Sequence, residues 1–406
     1  MTDFVRSPSA PTGDSKLHLP ASCDPPGEGN PPQQKVWVVF GATGHMGRSL
    51  VKCALAHGDK VTAVGRTWEH TIKQMEGWHD NCLGTLCDVR LRETVDAVLK
   101  KTISHWGGID IIANCTGYGV IGACEDQDLS DMRAQFETNF FGTLHIVQLS
   151  LPYFRTRNAG RYLIFSSTSG ALGVPGLGPY CATKYAVEGL VESMLYEIDA
   201  FGIKATLVAP GHLRIDEPGA KRVKGSKGNA EDTTTSGDKL PLPSYGHFLV
   251  KTPSAPYAHQ NAPAGHAKRM VQWMNDNQPT SAVKSAELVW QLGHCRFPPL
   301  RLLLGSYAVE SIRDRLKSII EEIEDWKHLS FPVADEDLMK GKDAELAEPS
   351  SSRKGQKDQS ADAGAEDEET EDHLMDDAFG EHVGDGMTEF SPEQQDADAD
   401  MKDEDD

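Results

Sequence analysis

From residue 35 onward, short, mostly apolar runs alternate with longer stretches whose apolar positions recur at helical spacing. The runs cover residues 36–40, 61–64, 109–113, 162–165 and 205–208. A strand that is apolar along its whole length needs cover on both faces, and a helix-sized segment between one strand and the next lets consecutive strands lie parallel. The pattern predicts an α/β fold, a single doubly wound domain with a parallel sheet, over residues 35–329.

The pattern stops in three places. Residues 217–255 have neither period and are rich in Gly, Lys, Thr, Ser and Pro, which predicts a flexible insertion. Order returns as helical spacing over 264–275 and 282–292, an apolar run at 300–304, and a last helix with Val309, Ile312, Leu316, Ile319, Ile320, Ile323 and Trp326 on one stripe. The first 34 residues carry seven prolines and little to bury, so a disordered arm is expected there. At the other end, residues 335–406 hold 27 of the 61 acidic side chains and 6 of the 40 basic ones, leaving 34 of each elsewhere. The net charge of −21 therefore belongs to an acidic, disordered tail, taken as residues 330–406, and the body is neutral.

Charge and cysteine usage narrow the function. A neutral body presents no basic face for neutralising phosphates, which argues against nucleic-acid binding. No run reaches the roughly 18 apolar residues of a membrane-spanning helix, and the start of the chain lacks the apolar core of a secretory signal. The eight cysteines show no C-x-x-C pairing, and Cys82 and Cys87 with His79 lack the ligand spacing of structural zinc. Reduced thiols, no metal and a cytoplasmic location are expected.

Candidate chemistry begins at the first strand-to-helix turn. Residues 36–40 run into Gly41-Ala42-Thr43-Gly44-His45-Met46-Gly47 and then into a helix-compatible stretch. Glycines there permit a tight turn and bring backbone N–H groups and the positive helix end against a pyrophosphate, as in a Rossmann dinucleotide site. The second strand ends at Gly65-Arg66, about twenty residues on, where the adenosine ribose lies. A carboxylate there would accept from both ribose hydroxyls, whereas a guanidinium pairs with a 2′-phosphate, so Arg66 favours NADP(H). Asp88 and Val89 close the third strand where an adenine would lie. Asn114, Cys115, Thr116 and Gly117 close the fourth with another close backbone approach.

The strongest signal is Tyr180-Cys181-Ala182-Thr183-Lys184 at the start of a helix, with Ser166 and Ser167 ending a strand upstream. The i, i+4 spacing sets the phenol and the ammonium on one helix face. A neighbouring cation favours phenolate, so Lys184 is expected to lower the Tyr180 pKa toward a range useful for proton transfer. Ser167 is placed to hydrogen-bond a substrate oxygen where charge develops.

In this order the motifs resemble the short-chain dehydrogenase/reductase family over residues 36–329, apart from the insertion. Thr138-Asn139 ahead of Phe140-Phe141-Gly142, and Pro210-Gly211, extend the likeness. The wording of 135–142, 175–180 and 299–305 is similar to the retinol dehydrogenase-like and hydroxysteroid dehydrogenase-like subgroup. The resemblance implies Tyr180 as general acid/base, Ser167 orienting the substrate oxygen, and Lys184 binding the nicotinamide ribose. It implies Asn139 holding the water of a proton relay, and Pro210 and Gly211 beside the cofactor. It further implies direct hydride transfer between NADP(H) and a small apolar alcohol or carbonyl substrate, in a family where homo-oligomers are common. Three positions depart from the family pattern. Phe40 stands where Thr is usual, with the middle glycine at Gly44; Cys115-Thr116 interrupts the common N-N-A-G; and Ile215 replaces a Thr. Two other readings stay open: a nonenzymatic NADP(H)-binding regulator, and a nucleotide-sugar epimerase or dehydratase, suggested by the Gly44 spacing.

Overall fold

The apolar runs become strands of one seven-stranded, all-parallel sheet in the computed structural model, which describes residues 17–66, 69–214, 244–245, 247–274 and 280–329. In the first half, β1 (Val36–Phe40), α1 (His45–Ala56), β2 (Lys60–Gly65), α2 (Glu69–Glu76), β3 (Cys82–Leu86), α3 (Arg92–Trp106) and β4 (Ile111–Asn114) alternate. A short β5 (Gly119–Ile121), α4 (Leu129–Phe136), α5 (Gly142–Arg157), β6 (Gly160–Phe165), α6 (Gly178–Ile198) and β7 (Ile203–Pro210) follow. The remainder holds the short strands β8 (Leu213–Arg214), β9 (Ser244–Tyr245) and β10 (Phe248–Val250), then α7 (His266–Met274), β11 (Thr280–Ser281), α8 (Ala282–His294), β12 (Arg301–Leu304) and α9 (Ser306–Trp326).

The strand order is β12-β7-β6-β4-β1-β2-β3, so the winding reverses between β1 and β4. That reversal opens a crevice beyond the carboxyl ends of these strands, where doubly wound sheets bind ligands. Alternation along β1 builds a core layer on each face: Trp37 and Val39 join Leu50, Val289 and Trp290, while Val38 and Phe40 join Ile112, Ile146 and Tyr162. Burying each such side chain contributes roughly 1.5–3 kcal/mol. In the first layer the buried Asp59 accepts from the Trp37 and Trp290 indoles at 2.9 Å each and from the Lys35 N–H at 2.8 Å, and it faces His294 Nε2 at 2.9 Å. Burial pushes the Asp59 carboxyl up, but bonds to His294, the Lys35 N–H and Trp290 outweigh it and hold the group below the usual carboxylate range.

Two expected loose segments are partly ordered. Within residues 17–34, Leu19 and Cys23 are buried in the first core layer; the Leu19 N–H donates to Gln291 Oε1 at 3.0 Å, and Gln291 Nε2 returns a bond to the Leu17 carbonyl at 2.8 Å. Few apolar groups suffice once they enter a groove the rest of the chain has built. At the end of the 217–255 insertion, β10 pairs parallel with β5 and antiparallel with β9, because the edge of β5 offers unpaired backbone groups. Residues 1–16, 215–243 and 330–406, and so Ile215 and the acidic tail, lie outside the described residues. Among the described residues no helix is long and apolar enough to cross a membrane.

Candidate active site

The glycine turn stands at the reversal point. Gly41 and Ala42 both donate to the Val64 carbonyl at 3.0 Å, which locks the turn to β2. Gly41 has φ +78°, and a Cβ there would approach the Cys115 backbone to 3.0 Å, so glycine is required. At Gly47 a Cβ would land on the Gly41 carbonyl. Gly44 caps α1 without a side-chain acceptor, and Thr43, Gly44 and His45 are exposed while Met46 and Gly47 are buried. The amide-rich start of α1 thus borders an open lip, a donor set that fits a dinucleotide pyrophosphate.

Around this turn the other expected cofactor positions fall into place along the strand ends. Arg66 is exposed one residue beyond β2. Asp88 lies two residues past β3 rather than closing it, and Arg90 Nε donates to its Oδ1 at 2.9 Å. Arg90 is the main cause holding the Asp88 carboxyl low, and the charge of Arg66 adds to it. The buried Val89 turns its carbonyl to His145 Nδ1 at 3.0 Å. Asn114 Oδ1 accepts from the Thr116 N–H at 3.1 Å and the Thr116 hydroxyl at 2.6 Å, while its Nδ2 donates to Thr143 Oγ1 at 2.9 Å. Pro210 ends β7, and the Gly211 N–H donates to the Leu304 carbonyl at 3.0 Å.

The four polar residues singled out for chemistry converge at this same sheet edge. Tyr180 and Lys184 lie on the first turns of α6, both buried, with Lys184 Nζ 5.8 Å from the centre of the Tyr180 ring. Ser167 follows β6, half-buried, with its hydroxyl near enough to the Tyr180 phenol to favour the ionised form. Asn139 sits in a π-helical turn, Glu137–Phe141, between α4 and α5. Its Oδ1 accepts from the Tyr118 N–H at 3.0 Å; its Nδ2 donates to the Tyr118 carbonyl and to Thr183 Oγ1, both at 2.9 Å. Gly117, at φ +153°, closes the gap: a Cβ on it would stand 3.2 Å from Asn139 Oδ1 and 3.4 Å from Lys184 Nζ.

Lys184 does not lower the Tyr180 pKa here. Burial pushes the phenol above its ordinary value, and the nearby Ser167 hydroxyl only partly opposes this. Lys184 itself is pushed down to about 8 by burial, with Glu188 and then Cys115 opposing, and its ammonium donates to the Phe165 carbonyl at 3.0 Å. Removing both groups from water costs more than a cation at this separation returns.

Several residues outside the sequence motifs join the site. The Ser166 hydroxyl and Arg301 of β12 both bond the buried Glu188, one helical turn past Lys184. Phe248 of β10 packs edge-on against Tyr180 at 5.2 Å, and Val174, Leu177 and Val250 extend this apolar wall. The Thr280 hydroxyl, beside Gly211, is buried without a hydrogen-bond partner. Glu188 and Arg301 meet across 113 positions, and Phe248 reaches Tyr180 from a separate strand, so no local signal marked these contacts. Trp290 belongs to the core through Asp59; the side chains of Trp273 and Met274 lie outside the described residues. Remote from the crevice, Cys53, His57 and Glu287 hold three donor atoms within 4.8 Å of one another, joining α1 to α8.

Residues 35–221 match the family described as short chain dehydrogenase. An oxidoreductase of Botryotinia fuckeliana is 28% identical over 301 residues, covering 74% of this chain and 99% of that protein. An uncharacterized oxidoreductase of Schizosaccharomyces pombe is 29% identical over 305 residues, covering 74% and 92%. A solved short-chain dehydrogenase of Streptomyces avermitilis superposes with a TM-score of 0.61 at 28% identity, covering 73% of this chain and 98% of that one.

Proposed function

We propose that the protein, whose residues 35–221 match the short chain dehydrogenase family, is a cytoplasmic, NADP(H)-dependent oxidoreductase interconverting an apolar alcohol and its ketone or aldehyde. The observation that carries this reading is the burial of the Tyr180 phenol and the Lys184 ammonium together, against Asn139 and Ser167, at the mouth of the crevice. A protein that only bound a dinucleotide would have no chemical need of all four.

When bound, the nicotinamide supplies or takes the hydride. The chain's own part is to move a proton and to place the oxygen that changes charge. With its pKa held up by burial, Tyr180 keeps its proton at neutral pH and is ready to donate it to a carbonyl oxygen. Ser167, close to the same phenol, offers the second hydrogen bond to that oxygen. Lys184 remains charged below about pH 8, its ammonium held on the Phe165 carbonyl beside the Tyr180 ring. Asn139 grips the Tyr118 backbone on both its polar atoms, so its contribution to proton transfer is to fix the floor on which Tyr180 and Lys184 stand. Arg66 supports the 2′-phosphate assignment, and the Phe248, Val250 and Leu177 wall supports an apolar substrate.

The test is NADPH oxidation by purified protein against a panel of apolar ketones and aldehydes. Tyr180→Phe should lower turnover about 10²–10⁴-fold while NADPH binding, read by fluorescence, is retained. Turnover left unchanged in that variant would overturn the mechanism.

A further inference from the structure

α9 leaves the body of the protein with an apolar stripe that is half-buried at Val309, Ile312 and Ile319 and exposed along the rest of its length. Ala308 at its start is buried against the sheet edge, but Leu316, Ile320, Ile323 and Trp326 are 54%, 59%, 58% and 65% exposed. An amphipathic helix of this kind gains little from propensity alone and draws its stability from a partner for its apolar stripe. The spacing of the stripe says which partner. Val309, Ile312, Leu316, Ile319, Ile323 and Trp326 recur at alternating steps of three and four, the seam of a two-helix coiled coil rather than the broader face of a core helix.

We propose that α9 is a dimerisation element that pairs antiparallel with α9 of a second copy of this chain. Charge selects both the partner and the direction. Arg313, Arg315 and Lys317 outnumber Glu310 and Asp314 in residues 306–317 of α9, and Glu321, Glu322, Glu324 and Asp325 give the remainder only negative charge. A parallel pair would bring the two acidic halves together. An antiparallel pair sets each acidic half against the basic half of the other copy, and it puts the points where the two chains continue toward acidic residues 335–406 at opposite ends of the seam. With Leu316 of one copy against Ile319 of the other, Ile323 meets Ile312 and Trp326 reaches Val309. In that register Arg315 of each copy flanks the seam opposite Glu322 of the other. Within one chain Arg315 and Glu322 stand 3.7 Å apart, which places both on the same flank of the stripe. The proposal rests on neither the cofactor nor the activity assigned above.

Sedimentation velocity on the full chain at micromolar concentration tests it. A dimer is expected, and Leu316→Glu with Ile323→Glu should give a monomer with an unchanged circular dichroism spectrum outside the lost helix contribution. Charge variants separate this arrangement from any other. Arg315→Glu and Glu322→Arg should each weaken self-association about tenfold, since each places like charges across the seam twice. Mixing the two single variants should restore dimers, because each mutant then faces the opposite charge in the other chain. The contact between 315 and 322 within each chain stays repulsive in that mixture, so recovery cannot come from it. A monomeric wild-type chain, a dimer that survives Leu316→Glu with Ile323→Glu, or a mixture that fails to recover would overturn the proposal.

Discussion

The Ser166 hydroxyl donates to Glu188 Oε1 at 2.6 Å, which ties the residue next to Ser167 to the helix that carries Tyr180 and Lys184. Arg301 Nη2 closes the arrangement from β12 at 2.9 Å and also reaches Glu192. The loop and the helix that bear the proposed chemistry are thereby fixed to each other through one buried carboxylate.

Glu188→Ala should cost about 2–3 kcal/mol of stability, because it strands a hydroxyl and a partly buried guanidinium. Urea unfolding measures the loss. Turnover should fall as well, with NADPH affinity much less affected, since the cofactor crevice is framed by other strands.

The depressed Lys184 pKa predicts a pH dependence of stability. Below about pH 8 the side chain is charged in both states; between there and its ordinary value of 10.5 the unfolded chain binds the extra proton. Stability contributed at this site therefore rises with pH across that window. Comparing urea midpoints of the wild type and Lys184→Met from pH 7.5 to 9.5 isolates the effect, and the advantage of the Met variant should shrink as pH increases.

Asp59→Ala should destabilise by about 3–5 kcal/mol, leaving the Trp37 and Trp290 indoles without their acceptor. The native carboxyl is held below its ordinary value of 3.8, so its contribution is complete above that value and is lost as pH falls through the lower native one. Thermal melts at pH 7 and pH 3 should show the gap between wild type and variant narrowing at the acid end.

Arg66→Asp should weaken NADPH far more than NADH, by roughly tenfold or more for a lost charge-assisted pair. Titration of each nucleotide by fluorescence reads the ratio directly. Equal losses would count against a 2′-phosphate at this position.

What could be read along the chain was whatever repeats locally. Strands buried on both faces are apolar at most positions, so β1, β2, β4, β6 and β7 stood out, and the Tyr180 and Lys184 pair showed itself through helical spacing. Glu188 and Arg301 meet across 113 positions, and the Leu19 N–H meets Gln291 across 272. No local period announces such contacts. The expected downward shift of the Tyr180 pKa failed for a related reason: spacing showed that a cation was near but not that both groups would be taken out of water.

The packing of α8 on α1 has a consequence for synthesis of the chain. The face of α1 that carries Leu50 and Ala54 is completed only by Ala286, Val289 and Trp290, more than two hundred residues later. At about 5–20 residues per second, a growing polypeptide would leave that face uncovered for on the order of 10–40 s. During this interval β1 and α1 present the surface that a chaperone would bind, and a slower ribosome would lengthen the exposure.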